Sequence, residues 1–262
     1  MEIRALEKNV NEGFLSFMIK NIENSFVNLL RTTIINEVPT MAIETVEFKD
    51  NSSILYDEMI ALRLGLLVLK TDLKSYNLPN ECKCKGKGCA QCQLKMTLKA
   101  KGPCTVYAKD IKSKDPKVKP VHPATPIVKL LKNQEIQLTA TAQLGIGKEH
   151  AKWSPGHVFF KLKPNITINE KAKNIDEYKD KYPTGIFTKT GKIDKNLILS
   201  NDLVEAVDGV NDDIIKVTYD ENTFIFNVES WGQLTPREMV LTATKTINKK
   251  LDELVKQLKA KK

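Results

Sequence analysis

Aromatic residues make up only 6% of the 262-residue chain and are not interleaved with its basic runs, which weakens any surface built to stack exposed bases. Histidine is scarcer still. His122, His150 and His157 are all there are; none stands in a zincin-type pair or near a serine or cysteine spaced for a triad. No glycine-rich phosphate loop is present, since GIGKEH (145–150) lacks the spacing and the hydroxyl, and no D-x-D-x-D cluster could gather magnesium ions. These absences leave no catalytic constellation for an enzyme acting alone. Long apolar runs are missing too. None approaches the roughly 18 residues of a membrane span, and MEIRALEKNVNEGFLSFMI at the N-terminus lacks a basic region followed by an apolar core, so the expected location is the cytoplasm.

The chain does have a hydrophobic content of 41%, enough to build a core in one large domain or two smaller ones. Its net charge is +9, from 41 Lys and Arg against 32 Asp and Glu. Much of the excess lies in KDIKSKDPKVKP (109–120) and the KQLKAKK end (256–262), which read as solvated surface with a general attraction for polyanions.

Periodicity predicts a mixed α+β chain. From Asn24, Phe26, Leu29, Leu30, Ile34 and Ile35 fall at helical spacing, and Pro39 follows as a stop. MAIETVEF (41–48) reads as a strand, and 51–69 as a turn and a short helix. Strands are expected over 94–102, 105–111 and 135–147, with an exposed connection at 116–126 and a turn leading into two strand-like runs over 148–168. Residues 168 to about 208 are polar and lysine-rich, a small insertion. TFIFNVES (223–230) alternates as a half-buried strand. Thr235, Pro236 and Glu238 then form the start of a helix, with Thr235 as its cap and Glu238 placed to reach back to it. From there Val240, Ala243, Ile247, Leu251, Leu254 and Leu258 step by three and four, a near-heptad seam that should lie against another helix.

Four of the five cysteines fall within CKCKGKGCAQC, spaced Cys82-x-Cys84-x4-Cys89-x2-Cys92. Two short-spaced thiol pairs on either side of a flexible bend can supply the four soft donors of a tetrahedral zinc ion, and Gly86 and Gly88 allow the positive φ angles of the bend. Lys83, Lys85 and Lys87 would offset the negative charge of four thiolates. Free thiols are the plainer alternative and an iron–sulfur cluster the sharper one, although the one-residue gap between Cys82 and Cys84 differs from ferredoxin spacings. A four-thiolate site has no open position, so it would stabilise the fold and not catalyse. Cys104, without a companion, is expected to be a small buried residue.

Several stretches together resemble the α-type assembly subunits of multi-subunit RNA polymerases, a family that includes the third-largest eukaryotic subunit and the N-terminal region of bacterial α. NSFVNLLRTTIINEVPTMAIETVEF resembles their first helix and following strand, ILYDEMIALRLGLLVL and GIGKEHAKWSP the two ends of their inserted domain, and FIFNVESWGQLTPREMV their final strand and helix start. The resemblance implies a discontinuous dimerisation domain (1–46, 156–167 and 209–262) with a sheet and two long helices. It also implies a mainly-β inserted domain (47–155) carrying the cysteine loop, and a small ferredoxin-like insertion (168–208).

By the same resemblance the chain would pair with a smaller subunit, L, small subunits N and P would join, and the large catalytic subunits would assemble on that platform, meeting DNA only as a complex. The faces expected to meet a partner carry Phe26, Leu29, Leu30 and Ile34 on one helix and Ile247, Leu251, Leu254 and Leu258 on the other. Many archaeal members hold an iron–sulfur cluster in the ferredoxin-like insertion, but residues 168–208 contain no cysteine, so no cluster is expected there. A reading from a different class, a free-standing zinc-stabilised nucleic-acid-binding protein, would also accommodate the charge and the thiol loop.

Overall fold

A computed structural model describes residues 1–9, 13–169, 172 and 175–260. Parts of three expected segments therefore lie outside the described residues: 10–12 of the first, 170, 171, 173 and 174 of the small insertion, and 261–262 of the last. The elements run β1 (Glu2–Asn9), β2 (Phe14–Lys20), α1 (Asn24–Glu37), β3 (Thr40–Asn51), α2 (Asp57–Gly65), β4 (Gln93–Lys101), β5 (Cys104–Tyr107), β6 (Lys112–Ser113), β7 (Pro126–Leu130), β8 (Glu135–Gly145) and β9 (Gly156–Ile168). The short helices α3 (Ile175–Tyr178), α4 (Lys195–Ser200) and α5 (Val204–Val207) follow, then β10 (Ile215–Ser230) and α6 (Pro236–Ala260). This is a mixed α+β chain.

Two compact units divide it. The first comprises Met1–Arg4, Phe17–Asn24 and Phe160–Phe226; the second comprises Ala5–Ser16, Ser25–Phe159 and Asn227–Lys262. Strands β1, β2, β10 and β9 are hydrogen-bonded in that order, and each contributes residues to both units.

Within the second unit, β3, β8, β4 and β6 form an antiparallel sheet in that order. Its register places Leu98 opposite Leu138 and Met96 opposite Ala140, so the period-two alternation of QLKMTLKAK sends Leu94, Met96 and Leu98 into one core and Lys95, Thr97 and Lys99 to solvent. Helix α2 adds Ile60 and Leu64 to the same core, which the two-stranded β5–β7 sheet completes with Val106, Ile127, Val128 and Leu130. The expected strand over 105–111 stops early. After Tyr107 the chain turns through a 3-10 segment, Ala108–Asp110, where the Asp110 carboxylate accepts the Tyr107 backbone N–H. Cys104, expected to be buried, is exposed: β5 turns Val106 inward and leaves its first residue at the open end, with the thiol donating to the Lys101 carbonyl at 3.4 Å.

The two strand-like runs after residue 148 are one strand, β9, preceded by a 3-10 turn at Ala151–Trp153. Pro164 does not interrupt it because β9 is the last strand in its sheet order, where a missing N–H removes no ladder bond to a further strand. Between β9 and β10 the described residues fold as short helices and turns over a core that includes Ile166, Tyr182, Ile186, Ile198, Val207 and Ile214. Asp194 caps α4, accepting the Asn196 N–H at 2.7 Å.

Helix α6 begins as its sequence requires. The Thr235 N–H donates to Glu238 Oε2 at 2.9 Å and the Glu238 N–H returns to Thr235 Oγ1 at 3.3 Å, a closed capping box. Its first three turns bury Met239 and Ala243; Ile247 is half-buried, and from Leu251 on the large aliphatic side chains are uncovered. Among the described residues no helix is long and apolar enough to cross a membrane.

Candidate metal centre and apolar helix faces

The loop between α2 and β4 is folded by its own backbone. Cys82 O accepts the Lys85 N–H, Cys84 O the Lys87 N–H, and Cys89 O the N–H groups of both Cys92 and Gln93. These tight turns need left-handed residues, and Gly86 and Gly88 take φ of 79° and 88°, with Lys85 joining them at 52°. A side chain at Gly88 would also strike the Gln93 amide, 2.4 Å from where its Cβ would sit.

The turns aim four thiols at one point. Sγ to Sγ distances are 3.5 Å for Cys82–Cys89, 3.5 Å for Cys84–Cys92 and 3.8 Å for Cys89–Cys92, and all four sulfurs lie within 4.8 Å of one another. Four sulfurs bound tetrahedrally at about 2.3 Å from one ion stand about 3.8 Å apart. The donor set therefore fits a single tetrahedral ion, whereas a cluster interposes iron and sulfide between its thiolates and spreads them wider. Cys82 and Cys92 are buried, and Cys84 and Cys89 half-buried.

The thiols are electrostatically divided against each other. A hydrogen bond from Cys92, helped by others within the loop, lowers Cys84 to about 6, while burial pushes Cys92 up to about 12. Four thiolates this close cannot coexist without a positive charge among them, which a divalent ion supplies. The Cys89 N–H, 3.2 Å from Cys92 Sγ, is a further donor to that sulfur. Lys83, Lys85 and Lys87 are exposed around the loop.

The residues expected to meet a partner separate into two groups. Leu30 and Ile34 are 6% and 0% exposed, packed inside the chain itself, because α1 turns Val27, Leu30, Thr33 and Ile34 inward together. Phe26 and Leu29 lie outside that face and are exposed, so the surface α1 offers is narrower than its apolar periodicity implies. On α6, Ile247 is half-buried, whereas Leu251, Leu254 and Leu258 are 54%, 52% and 62% exposed. Val255, not singled out by the seam, shares their face: 251, 254, 255 and 258 step by three, four and seven, a pattern visible once the seam is widened by one position. Nearby, Lys249 pairs with Glu81 at 2.6 Å, and Lys250 pairs with Glu37 at the end of α1.

Residues 42–158 match a protein family described as the RNA polymerase Rpb3/RpoA insert domain. A mixed α+β chain with that insert is an RNA polymerase subunit of the Rpb3/RpoA class. Over nearly its whole length the chain is similar to archaeal proteins named DNA-directed RNA polymerase subunit Rpo3. It is 38% identical to that of Methanosarcina acetivorans over 261 residues, 97% of each chain. It is 36% identical to that of Pyrococcus furiosus over 270 residues, 98% of this chain and 97% of the relative. With the Methanosphaera stadtmanae protein, identity is 34% over 271 residues, 97% of each. The chain belongs to the Rpo3 family of archaeal DNA-directed RNA polymerase subunits.

Proposed function

We propose that the chain is a non-catalytic assembly subunit of the polymerase, pairing with subunit L to form the platform on which small subunits N and P and the large catalytic subunits gather in the cytoplasm. Supporting this is the row of uncovered aliphatic side chains on α6, Leu251, Leu254, Val255 and Leu258, together with Phe26 and Leu29 on α1. A helix that leaves such a stripe in water is stabilised by a partner, each large side chain being worth about 1.5–3 kcal/mol on full burial. Residues 1–46, 156–167 and 209–262 would form the dimerisation domain, 47–155 the insert and 168–208 a lesser insertion. The Cys82, Cys84, Cys89 and Cys92 loop would hold a structural zinc ion, and the chain would supply no residue to nucleotide addition.

Co-expression with subunit L tests the pairing. The expected product is a one-to-one heterodimer, and Leu251→Glu with Leu254→Glu should abolish it without loss of helical circular dichroism, since both side chains are exposed. A folded double variant that still pairs, or a wild-type chain that remains monomeric and binds DNA by itself, would overturn the reading. Metal analysis of protein from zinc-replete medium should find close to one zinc per chain.

A further inference from the structure

Residues 13, 70–74, 117, 121–122 and 230–236, with 238, 241, 242 and 245 on α6, border an open groove of about 920 Å³, all within the second unit. One wall carries Trp231, 43% exposed although it is a large aromatic side chain. Gln233 also lines the groove and is only 5% exposed. Its amide nitrogen donates to the Ser154 carbonyl at 3.2 Å, but its Oε1 has no hydrogen-bond partner. That oxygen is closed off beneath the groove surface, so Gln233 fixes the floor of the groove and is not itself a contact for a ligand.

The charges in the groove are unequal. Asp72 and Glu238 are its carboxylates, and both are engaged. Asp72 accepts the Lys74 N–H, the Ser75 hydroxyl and Lys117 Nζ, which together hold it well below the usual carboxylate range, and Glu238 closes the α6 capping box. Lys70, Lys74 and Lys245 are exposed, with no carboxylate in ion-pair distance among the described residues.

From these features we infer that the groove receives an extended, acidic segment of another polymerase subunit. An acidic polypeptide supplies carboxylates for Lys70, Lys74 and Lys245 and apolar side chains for the face of Trp231. A nucleic acid fits less well: Trp231 is the one large aromatic side chain among the described residues lining the groove, which leaves a run of bases a single stacking face. The inference rests on the assembly reading and adds to it a second docking surface, distinct from the stripe on α6.

Two measurements test it. In the first, the full-length chain at low salt is titrated with a blocked peptide alternating Glu and Leu, and with a matching Lys–Leu peptide and a short single-stranded DNA as counter-probes, reading Trp231 fluorescence against a Trp231→Phe control. The acidic peptide should bind at least tenfold tighter than either counter-probe, and Lys74→Glu with Lys245→Glu should weaken it at least tenfold. Equal binding of the counter-probes, or indifference to the charge reversals, overturns the inference while leaving pairing with subunit L intact.

In the second, a photo-crosslinking residue replaces Trp231 in assembled polymerase, with Tyr219 as the control position. The expected adduct maps to a net-negative segment of one other subunit. No adduct above control, or one to DNA or to a basic segment, overturns the docking surface. Failure of the chain to enter any assembly, read by native mass spectrometry, would instead count against the assembly reading.

Discussion

Between Cys82 and Cys92 the chain has one apolar side chain besides its thiols, Ala90. Between Ile166 and Ile215 it has no cysteine, yet its described residues bury eight apolar side chains, among them Ile186, Ile198 and Val207 at 0% exposure. Each stretch departs from regular sheet, and each must offset the entropy of ordering an irregular segment. Beyond the backbone hydrogen bonds of its turns the loop has only donor atoms for doing so, whereas the later stretch uses ordinary burial. A segment of the second kind can persist without metal ligands because its stability comes from its own core. A segment of the first kind is expected to need the ion its thiols would hold.

The sharpest way to break that contrast is to remove a ligand. Cys92→Ser deletes a fully buried donor, and because metal-binding energy in such a loop is also folding energy, the loop should be destabilised by about 4 kcal/mol or more. Hydrogen exchange should rise sharply across 82–92 and remain unchanged across 166–215. The sheet core of Met96, Leu98 and Leu138 should survive, since it is closed by strand pairing independently of the thiols. If protection in the loop is the same in the variant, or in protein stripped by chelator, the metal does not hold it.

How far this contrast could be read in the sequence differs by element. The helix from Asn24 and the capping box at Thr235 and Glu238 are set by neighbours three and four residues away, so local spacing locates them. The four thiols were legible for the same reason. Spacing alone could not say which apolar residues of α1 face inward: Leu29 and Leu30 are adjacent and equally apolar, and only the tertiary surroundings bury one and expose the other. Helices of four to six residues, such as α3, α4 and α5, are too short to show a helical period, so their stretch read as polar insertion although it contains a core. The sequence reads as two runs where the structure has one strand, since the edge position that accommodates Pro164 is a property of the sheet.

A cavity in the later stretch sharpens the comparison from the other side. Ile198→Ala removes a fully buried side chain from a small cluster with few neighbours able to close in, and should cost about 2–5 kcal/mol of local stability. The readout is faster hydrogen exchange across 166–215 with unaltered metal content. Loss of metal from this variant would mean that the two stretches do not stand independently.

The smallest expected effect separates the stretches by pH. In the insert, Tyr76 is buried and its hydroxyl donates to Asp115 Oδ2 at 2.9 Å; burial first, then that hydrogen bond, raises its pKa to about 12. A group whose pKa is raised on folding stabilises the fold fully below its unfolded value, about 10 for tyrosine, and loses that contribution as pH rises from there towards 12. Tyr219 in the other unit is raised too, by burial and then by its bond to Asp208, but it is 42% exposed. Tyr76→Phe should therefore lower stability at neutral pH by about 1 kcal/mol, the net value of one hydrogen bond, and should flatten the decline of insert stability above pH 10. Tyr219→Phe should leave that decline in place. Denaturant titrations at pH 7 and pH 11, followed by exchange in each stretch, decide the matter: an alkaline decline in the insert that persists unchanged in Tyr76→Phe would assign it to some other group.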